Sequence, residues 1–165
     1  MIKVVDNFLN QEELMEAHRI IETNGWYFSE ESNKGSLSFW SMNLMNEEFF
    51  TRKMIQKIKD AFDVKLKLNK VYANGQTFGL DGSYHTDSRY EDDYTFLLYL
   101  SEIKAKNVDV VGGHTQFKIE DTIKSVEPIY NRGVLFKSNI LHRGLAPSRL
   151  SGILRISIAF KMTSI

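Results

Sequence analysis

The hydrophobic pattern of the chain changes its period near Lys65, and this change limits the folds that the chain can adopt. Before Lys65 the apolar residues recur at helical spacing, whereas after it they form short alternating runs separated by turn residues. Side chains on one face are about 3.6 residues apart in a helix and two residues apart in a strand. The pattern therefore predicts helices in the first third of the chain and a β-rich remainder.

Two helices are predicted before Lys65. Asn10 followed by Glu13 matches a capping box, and the helix that it begins ends at Gly25. A second helix is predicted from about Asn46 to Phe62. The apolar positions are Leu14, Ala17, Ile20 and Ile21 in the first helix, and Phe50, Met54, Ile55, Ile58, Ala61 and Phe62 in the second. Stripes of this kind indicate packing against a core.

The segments after Lys65 predict short strands. They are LKLNKVYA, TFLLYL, HTQFKI, SVEPIY, GVLF and ILRISIAFK. Many short strands at such intervals are typical of a sandwich or a barrel. Two helices followed by these strands predict an α+β fold, a small barrel or jelly roll with the helices packed on its outside.

Composition narrows the classes of function. The 165 residues are enough to bury a core, and no repeat or linker divides residues 1–165, so one domain is expected. The formal net charge is zero, which disfavours nucleic acid or a membrane surface as a partner. The chain has no cysteine, so a metal site would use histidine, carboxylate or carbonyl ligands. With no signal-peptide pattern, a cytoplasmic monomer or small oligomer is expected.

Three residues form a candidate metal site. His85 and Asp87 stand two positions apart in SYHTDS, so on a strand both would point to the same side. His142, in NILHRGLAPS, is the best candidate for a third ligand. Two histidines and one carboxylate make the facial arrangement of non-haem Fe(II) oxygenases. A zinc hydrolase uses a similar set, so these residues alone leave the metal open.

An arginine lies within the apolar final strand. In ILRISIAFK, Arg155 and Ser157 fall on one face and the larger apolar residues fall on the other. Burying a guanidinium is unfavourable unless it is paired. The pattern therefore suggests that Arg155 binds the carboxylate of a dicarboxylate cosubstrate beside the Ser157 hydroxyl. The alternative is an arginine at the rim with its charged group in water.

These ordered motifs resemble the Fe(II)/2-oxoglutarate-dependent oxygenases, and most closely the prolyl 4-hydroxylase-type branch. The family's opening strand and helix resemble VVDNFLNQEEL, and its Tyr-x-x-Gly…His-x-Asp segment resembles VYANGQTFGLDGSYHTDS. Its Gly-Gly-Glu-x-x-Phe turn is similar to VVGGHTQF, and its final Arg-x-Ser strand to RISIAF. The resemblance covers nearly the whole chain and implies a double-stranded β-helix barrel.

The resemblance also implies roles for particular residues. His85, Asp87 and His142 would hold iron, and Arg155 would bind the C5 carboxylate of 2-oxoglutarate. The residues implied to assist the cosubstrate are Ser157, Tyr72 and Tyr99. Fe(II), 2-oxoglutarate and O₂ would be required, with ascorbate as a stimulant. The implied reaction is hydroxylation of an unactivated C–H bond with release of succinate and CO₂, acting on a prolyl residue of a peptide or protein.

Two departures from the family pattern bear on the site. His114 stands where the family usually has glutamate, and a structural or substrate-side role is expected for it instead of metal binding. The segment from His142 to Arg155 is longer than the common pattern, so Arg149 is an alternative for the cosubstrate arginine. A cupin-like metal- or sugar-binding module without oxidation, and an oxygenase acting on a small molecule, are the alternative functions.

The segments 26–40 and 81–93 are expected to flank the opening of the site. Residues 29–39 are polar and suited to a mobile flap. The acids of SRYEDD are expected beside the opening, where they would favour a neutral or basic target. This makes a nucleic-acid repair oxygenase of the same superfamily a weaker alternative.

Overall fold

The computed structural model describes residues 1–28 and 30–165 in full and residue 29 as part of a strand. The helices are α1 (Gln11–Thr23), α2 (Met54–Phe62) and the short α3 (Val108–Val111), and a π-helical turn at Phe49–Lys53 runs into α2. The strands are β1 (Ile2–Val5), β2 (Tyr27–Glu31), β3 (Ser38–Asn43), β4 (Leu66–Gln76), β5 (Asp93–Tyr99), β6 (Thr115–Ile119), β7 (Thr122–Val126), β8 (Gly133–Lys137), β9 (Leu141–Gly144) and β10 (Arg155–Ser164).

The strands form two antiparallel sheets. The large sheet has the order β1-β8-β5-β10-β4-β3-β2, and the small sheet has the order β7-β6-β9. Strand β10 is central, because it pairs with β4 along its whole length and with β5 from Ser157 to Thr163. The predicted α+β class is confirmed. In the described part of the chain the two sheets do not join into one closed barrel.

Helices α1 and α2 pack on the outer face of the large sheet. Their apolar side chains meet those of β4, β5 and β10 in the main hydrophobic core, which includes Ile20, Phe50, Ile58, Phe96, Ile158 and Phe160. A second core lies between the sheets and includes Leu97, Tyr99, Phe117, Val134, Phe136 and Ala159. Alternation along β10 therefore places apolar residues toward the helices and leaves the other face for the space between the sheets.

The first helix begins as its sequence predicts. Asn10 Oδ1 accepts the Glu13 N–H, and Glu13 Oε2 accepts the Asn10 N–H, both at 2.9 Å, which completes the capping box. The Glu13 carboxylate is buried and lies 2.8 Å from Lys57 Nζ on α2. The second helix starts later than predicted, since regular α-helix begins only at Met54, after the π-helical turn.

The predicted flap is largely a β-hairpin. Strands β2 and β3 occupy much of the segment where a polar loop was expected, and only the turn between them is irregular. The register shifts between Phe28 and Glu30, which breaks the two-residue alternation of a regular strand. Because β2 is also the edge strand of the large sheet and carries glutamates, its sequence lacks the pattern of a buried strand.

Within the described residues, none of the helices combines the length and the hydrophobicity that a membrane-spanning helix requires.

Asn131 joins the segment before α1 to the turn before β8. Its Oδ1 accepts the Leu9 N–H, and its Nδ2 donates to the Leu9 carbonyl, each at 2.8 Å. The residue is buried and has a φ of +61°, in the left-handed region. Two otherwise unpaired backbone groups in the core therefore depend on one amide side chain.

Asn131→Ala is expected to lower the free energy of unfolding by about 2–4 kcal/mol, because Leu9 loses two buried partners and alanine is strained at a left-handed φ. Asn131→Gly loses the same bonds without the strain, so it is expected to retain about 1 kcal/mol more stability. Urea unfolding measures both. Asn69→Ala, which removes an exposed side chain on β4, is the control. Equal stability of Asn131→Ala and the parent protein would contradict this account.

Candidate functional site

A cavity of about 310 Å³ lies between the two sheets. Its wall on the large-sheet side is made by alternate residues of two neighbouring strands. These are Arg155, Ser157, Ala159 and Lys161 on β10, opposite Gln76, Asn74, Tyr72 and Lys70 on β4. Arg155 and Ser157 thus face inward, as the strand alternation predicts.

His85 and His142 are brought together by backbone pairing. The extended segment around His85 runs antiparallel to β9, with the His85 N–H donating to the His142 carbonyl at 3.0 Å and the His142 N–H donating to the His85 carbonyl at 2.9 Å. The two imidazole centroids are 4.6 Å apart. Residues far apart in the sequence thus become direct cross-strand neighbours.

Asp87 lies against both imidazoles. Its Oδ1 is 3.4 Å from His85 Nε2, and its Oδ2 is 3.4 Å from His142 Nε2. One ligand atom from each of the three side chains lies within 4.8 Å of the others. The three residues predicted as metal ligands therefore converge on one point at the cavity wall.

The tautomers of the two histidines suit metal binding. His85 Nδ1 is 2.9 Å from the Ser83 carbonyl oxygen, and His142 Nδ1 is 2.8 Å from the Ile140 carbonyl oxygen. A carbonyl oxygen only accepts hydrogen bonds, so each Nδ1 carries a proton, and Nε2 is the ring nitrogen that faces Asp87. A neutral imidazole whose far nitrogen is bonded to a carbonyl is the usual state of a histidine metal ligand.

The Asp87 carboxylate is nearly buried and held by two further groups. Thr95 Oγ1 donates to Asp87 Oδ2 at 2.6 Å, and the Lys161 ammonium contacts the same oxygen. Burial acts to raise the pKa of Asp87, but Lys161 and the two imidazoles outweigh it and keep that pKa well below its usual range. Asp87 is therefore ionised, as a metal ligand must be.

The guanidinium of Arg155 lies at the other end of the cavity wall, and only 2% of the residue is exposed. Nη1 donates to Gln76 Oε1 and Nη2 donates to Thr115 Oγ1, both at 2.9 Å, and Nε donates to the Gly113 carbonyl. Burial lowers the pKa of Arg155, yet a guanidinium remains charged in proteins. Among the described residues no carboxylate pairs with it, so all of its protein partners are neutral.

Gly113 makes room for this guanidinium. A β-carbon on Gly113 would lie 3.1 Å from Arg155 Cδ, and its φ is +79°. Both the close approach and the left-handed backbone favour glycine. The Gly-Gly turn of the sequence thus has a packing function next to the arginine.

The two predicted tyrosines occupy different positions. Tyr72 lines the cavity, and burial together with the charge of Asp87 raises the pKa of its phenol, which stays protonated. Tyr99 is fully buried outside the cavity lining and donates its O–H to Thr115 Oγ1 at 2.7 Å. This position does not support the prediction that Tyr99 contacts a cosubstrate directly, because Thr115 stands between its hydroxyl and Arg155.

Several residues of the site were not predicted from the sequence. They are Thr95, Lys161, Thr115, Gln76 and Asn74. The inward position of Lys161 could have been predicted from the sequence, since two-residue alternation along β10 places it on the same face as Arg155. No such pattern indicates Thr95 or Thr115, because their role depends on contacts between strands that are distant in the sequence.

The structure also tests which residues lie around the opening of the cavity. Arg149 is exposed and does not line the cavity, whereas Arg155 does. The acids of SRYEDD do not line the opening, which corrects their predicted position: Asp93 instead accepts hydrogen bonds from Ser88 and Thr163. Because none of these acids lines the cavity, they give no basis for a preference for basic targets. The β2–β3 hairpin does contribute to the wall, through Glu30, Glu31 and Phe39.

His114 is expected to be dispensable for metal binding. It belongs neither to the cavity lining nor to the convergent triad, and its backbone carbonyl accepts the Leu145 N–H at 2.9 Å. His114→Gln should therefore bind a divalent metal with the same stoichiometry as the parent protein, measured by elemental analysis after dialysis. Loss of metal from a normally folded His114→Gln variant would show that the turn does contribute a ligand.

Comparisons with known proteins show the fold. No protein-family model and no curated protein matches the chain. Among solved structures, a prolyl hydroxylase of Trichoplax adhaerens in complex with a hypoxia-inducible factor peptide has a TM-score of 0.76 at 15% identity, covering 99% of this chain and 83% of that one. A prolyl-4-hydroxylase of Pseudomonas putida has a TM-score of 0.69 at 17% identity, covering 99% and 92%.

A third similar structure is HygX from Streptomyces hygroscopicus, with nickel and 2-oxoglutarate bound. Its TM-score is 0.71 at 13% identity, covering 99% of this chain and 82% of HygX. The chain thus has the fold of the 2-oxoglutarate- and Fe(II)-dependent oxygenases, of the prolyl hydroxylase-like type. Identities of this size establish the fold, and the activity has to be argued from the site.

Proposed function

We propose that the protein is an Fe(II)- and 2-oxoglutarate-dependent oxygenase that hydroxylates an unactivated C–H bond, and that its two sheets form a double-stranded β-helix. One observation carries the proposal. The same cavity holds two histidines and an ionised carboxylate at one end and, at the other, a buried guanidinium that has no carboxylate partner among the described residues. A metal-chelating dicarboxylate satisfies both ends at once.

The donor set fits iron. His85, Asp87 and His142 would hold the ion through two Nε2 atoms and one carboxylate oxygen, which suits Fe(II) better than an all-oxygen site would. When bound, iron supplies the oxidative chemistry in which 2-oxoglutarate and O₂ yield succinate and CO₂ while a substrate C–H becomes C–OH. Thr95 orients the Asp87 carboxylate by donating to Oδ2.

The remaining residues bind and position the cosubstrate. Arg155 would receive its far carboxylate, with the guanidinium already oriented by Gln76 and the Gly113 carbonyl. Ser157 is 3.4 Å from Arg155 Nη1, and Tyr72 offers a protonated phenol on the same wall. Because these groups are held before binding, little ordering is needed when the cosubstrate enters.

The substrate is proposed to be a prolyl residue of a peptide or protein. Similarity of the fold to prolyl hydroxylases, one of them in complex with a peptide, supports this choice. The alternative is a small molecule, which the similarity to HygX supports. Succinate formation measured across proline-containing peptides, free amino acids and other small molecules would separate the two.

The proposed function is tested without knowledge of the substrate. Under anaerobic conditions, adding Fe(II) and then 2-oxoglutarate should produce a visible absorption band that neither gives alone. Admission of O₂ should then convert 2-oxoglutarate to equal amounts of succinate and CO₂. A cupin-like binding module or a zinc hydrolase would bind metal but give no band dependent on 2-oxoglutarate, and that result would overturn the proposal.

A further inference from the structure

The cavity contains two lysines that the proposed reaction does not use. Lys70 on β4 and Lys161 on β10 are direct cross-strand partners, and both line the cavity. Their ammonium groups lie 4.6 Å and 5.8 Å from the centroid of the Tyr72 ring. Like charges placed opposite one another on neighbouring strands repel, so the pair has an unfavourable position unless an anion joins it.

The carboxylates that pair with these lysines do not neutralise both ammonium groups. Among the described residues the only carboxylate that pairs with either is Asp87, which contacts Lys161. A divalent metal on His85, Asp87 and His142 would draw on the same single negative charge. The two carboxylates of 2-oxoglutarate are directed to the metal and to Arg155 in the proposed function. Among the described residues Lys70 therefore has no anionic partner, and Lys161 shares Asp87 with the proposed metal site.

The glutamates that line the cavity do not pair with these lysines in the described part of the chain. In the β2–β3 hairpin, Glu30 is the cross-strand partner of Phe39. The next residue, Trp40, is the cross-strand partner of Gly75 on β4. Gly75 is five residues from Lys70, or about 17 Å along the strand. Glu31 is exposed and accepts the Gly35 N–H at 2.7 Å in the hairpin turn. In the described part of the chain neither glutamate forms an ion pair with a lysine of the cavity.

We propose that Lys70 and Lys161 bind a carboxylate of the primary substrate beside the metal site, an assignment that rests on the proposed function. Both ammonium groups reach the cavity from the end of the wall opposite Arg155, so the substrate and the cosubstrate carboxylates bind at separate places. A singly charged carboxylate fits better than a doubly charged phosphate, because Asp87 already neutralises part of this charge. The substrate class is therefore a carboxylic acid, such as a free or N-acylated amino acid or the C-terminus of a peptide.

The test uses two probes that differ by one negative charge at similar shape, N-acetylglycine and N-acetylglycinamide. The full-length protein is loaded anaerobically with Fe(II) and saturating 2-oxoglutarate, and binding is followed by perturbation of the visible band and by calorimetry. N-acetylglycine is expected to bind about tenfold more tightly than the amide, or better, because ammonium–carboxylate hydrogen bonds are charge-assisted.

Variants assign that preference to the two lysines. Lys161→Met and Lys70→Met should each remove most of the preference for N-acetylglycine over N-acetylglycinamide, and the double variant should remove all of it. Lys67→Met, which alters an exposed lysine of the same strand outside the cavity lining, is the control and should keep it. Circular dichroism checks the fold, and Lys70→Met, at an exposed position, decides the matter if Lys161→Met does not fold.

The outcomes separate the two proposals. A visible band with equal binding of acid and amide, or a preference that survives in the double variant, would overturn the carboxylate site and leave the proposed function intact. Absence of the band would show that the proposed function is wrong, and the carboxylate site would fall with it.

Discussion

His142→Ala is expected to lose divalent metal binding, with the affinity falling by about 100-fold or more. Loss of a partner that merely orients a ligand already weakens metal affinity by about 10–100-fold, and His142 would supply a ligand atom itself. Its Nε2 is 3.4 Å from Asp87 Oδ2, whereas His85 Nε2 is 3.4 Å from the other oxygen of that carboxylate. Calorimetric titration with Fe(II) under anaerobic conditions, or with Co(II), measures the effect.

Two comparisons make this result specific. The His142 ring packs against Phe117 and Phe136, so circular dichroism and thermal unfolding must show that His142→Ala still folds. His114→Gln serves as the matched histidine variant outside the triad. If both His85→Ala and His142→Ala bind metal as the parent protein does, the metal site has been placed on the wrong residues.

Arg155→Ala is expected to raise the dissociation constant for 2-oxoglutarate by about 100-fold or more. Hydrogen bonds from a charged group to a carboxylate contribute about 1.5–3 kcal/mol each, and two of them in a fork account for that factor. Arg155→Lys should do less harm, because it keeps the charge but loses the fork. Titration of the visible band with 2-oxoglutarate, using protein already loaded with Fe(II), gives the constants directly.

Arg149→Ala is the matched control for Arg155, since Arg149 is exposed and outside the cavity. It should leave the affinity for 2-oxoglutarate nearly unchanged. If Arg149→Ala lowered the affinity for 2-oxoglutarate and Arg155→Ala did not, the cosubstrate carboxylate would bind outside the cavity. Metal affinity of Arg155→Ala should stay close to that of the parent protein, which distinguishes a lost cosubstrate contact from a damaged metal site.

Local pattern was enough to predict the features that depend on neighbouring residues. The capping box of α1 needs only Asn10 and Glu13, and the inward face of Arg155 follows from alternation along one strand. The convergence of His85 with His142 was predicted through motif order and resemblance, because no local rule places them on adjacent strands. The structure supplies the pairing that the sequence pattern leaves open.

Features that depend on several strands at once were not predictable. The sequence of the β2–β3 hairpin predicts a polar flap because a bulge interrupts the alternation of its residues. Alternation places Lys161 on the same face as Arg155, but the sequence alone does not predict it as a site residue. Its role depends on contacts with Asp87 and with Lys70 on the neighbouring strand. The predicted position of the SRYEDD acids at the opening is wrong, because the sequence of a loop does not show which of its side chains face a cavity.

Strand β10 also sets a fixed distance between the two side chains that are proposed to bind carboxylates, Arg155 and Lys161. Arg155 and Lys161 lie on one face, about 20 Å apart along an extended backbone, and hydrogen bonding to β4 and, from Ser157, to β5 prevents stretching. A one-residue insertion between them would turn one of the two side chains toward the helices. The only irregularity in the β10–β4 register lies just beyond, at Lys161/Met162. A different spacing between these two side chains would therefore require a new register of β10 against both of its neighbouring strands.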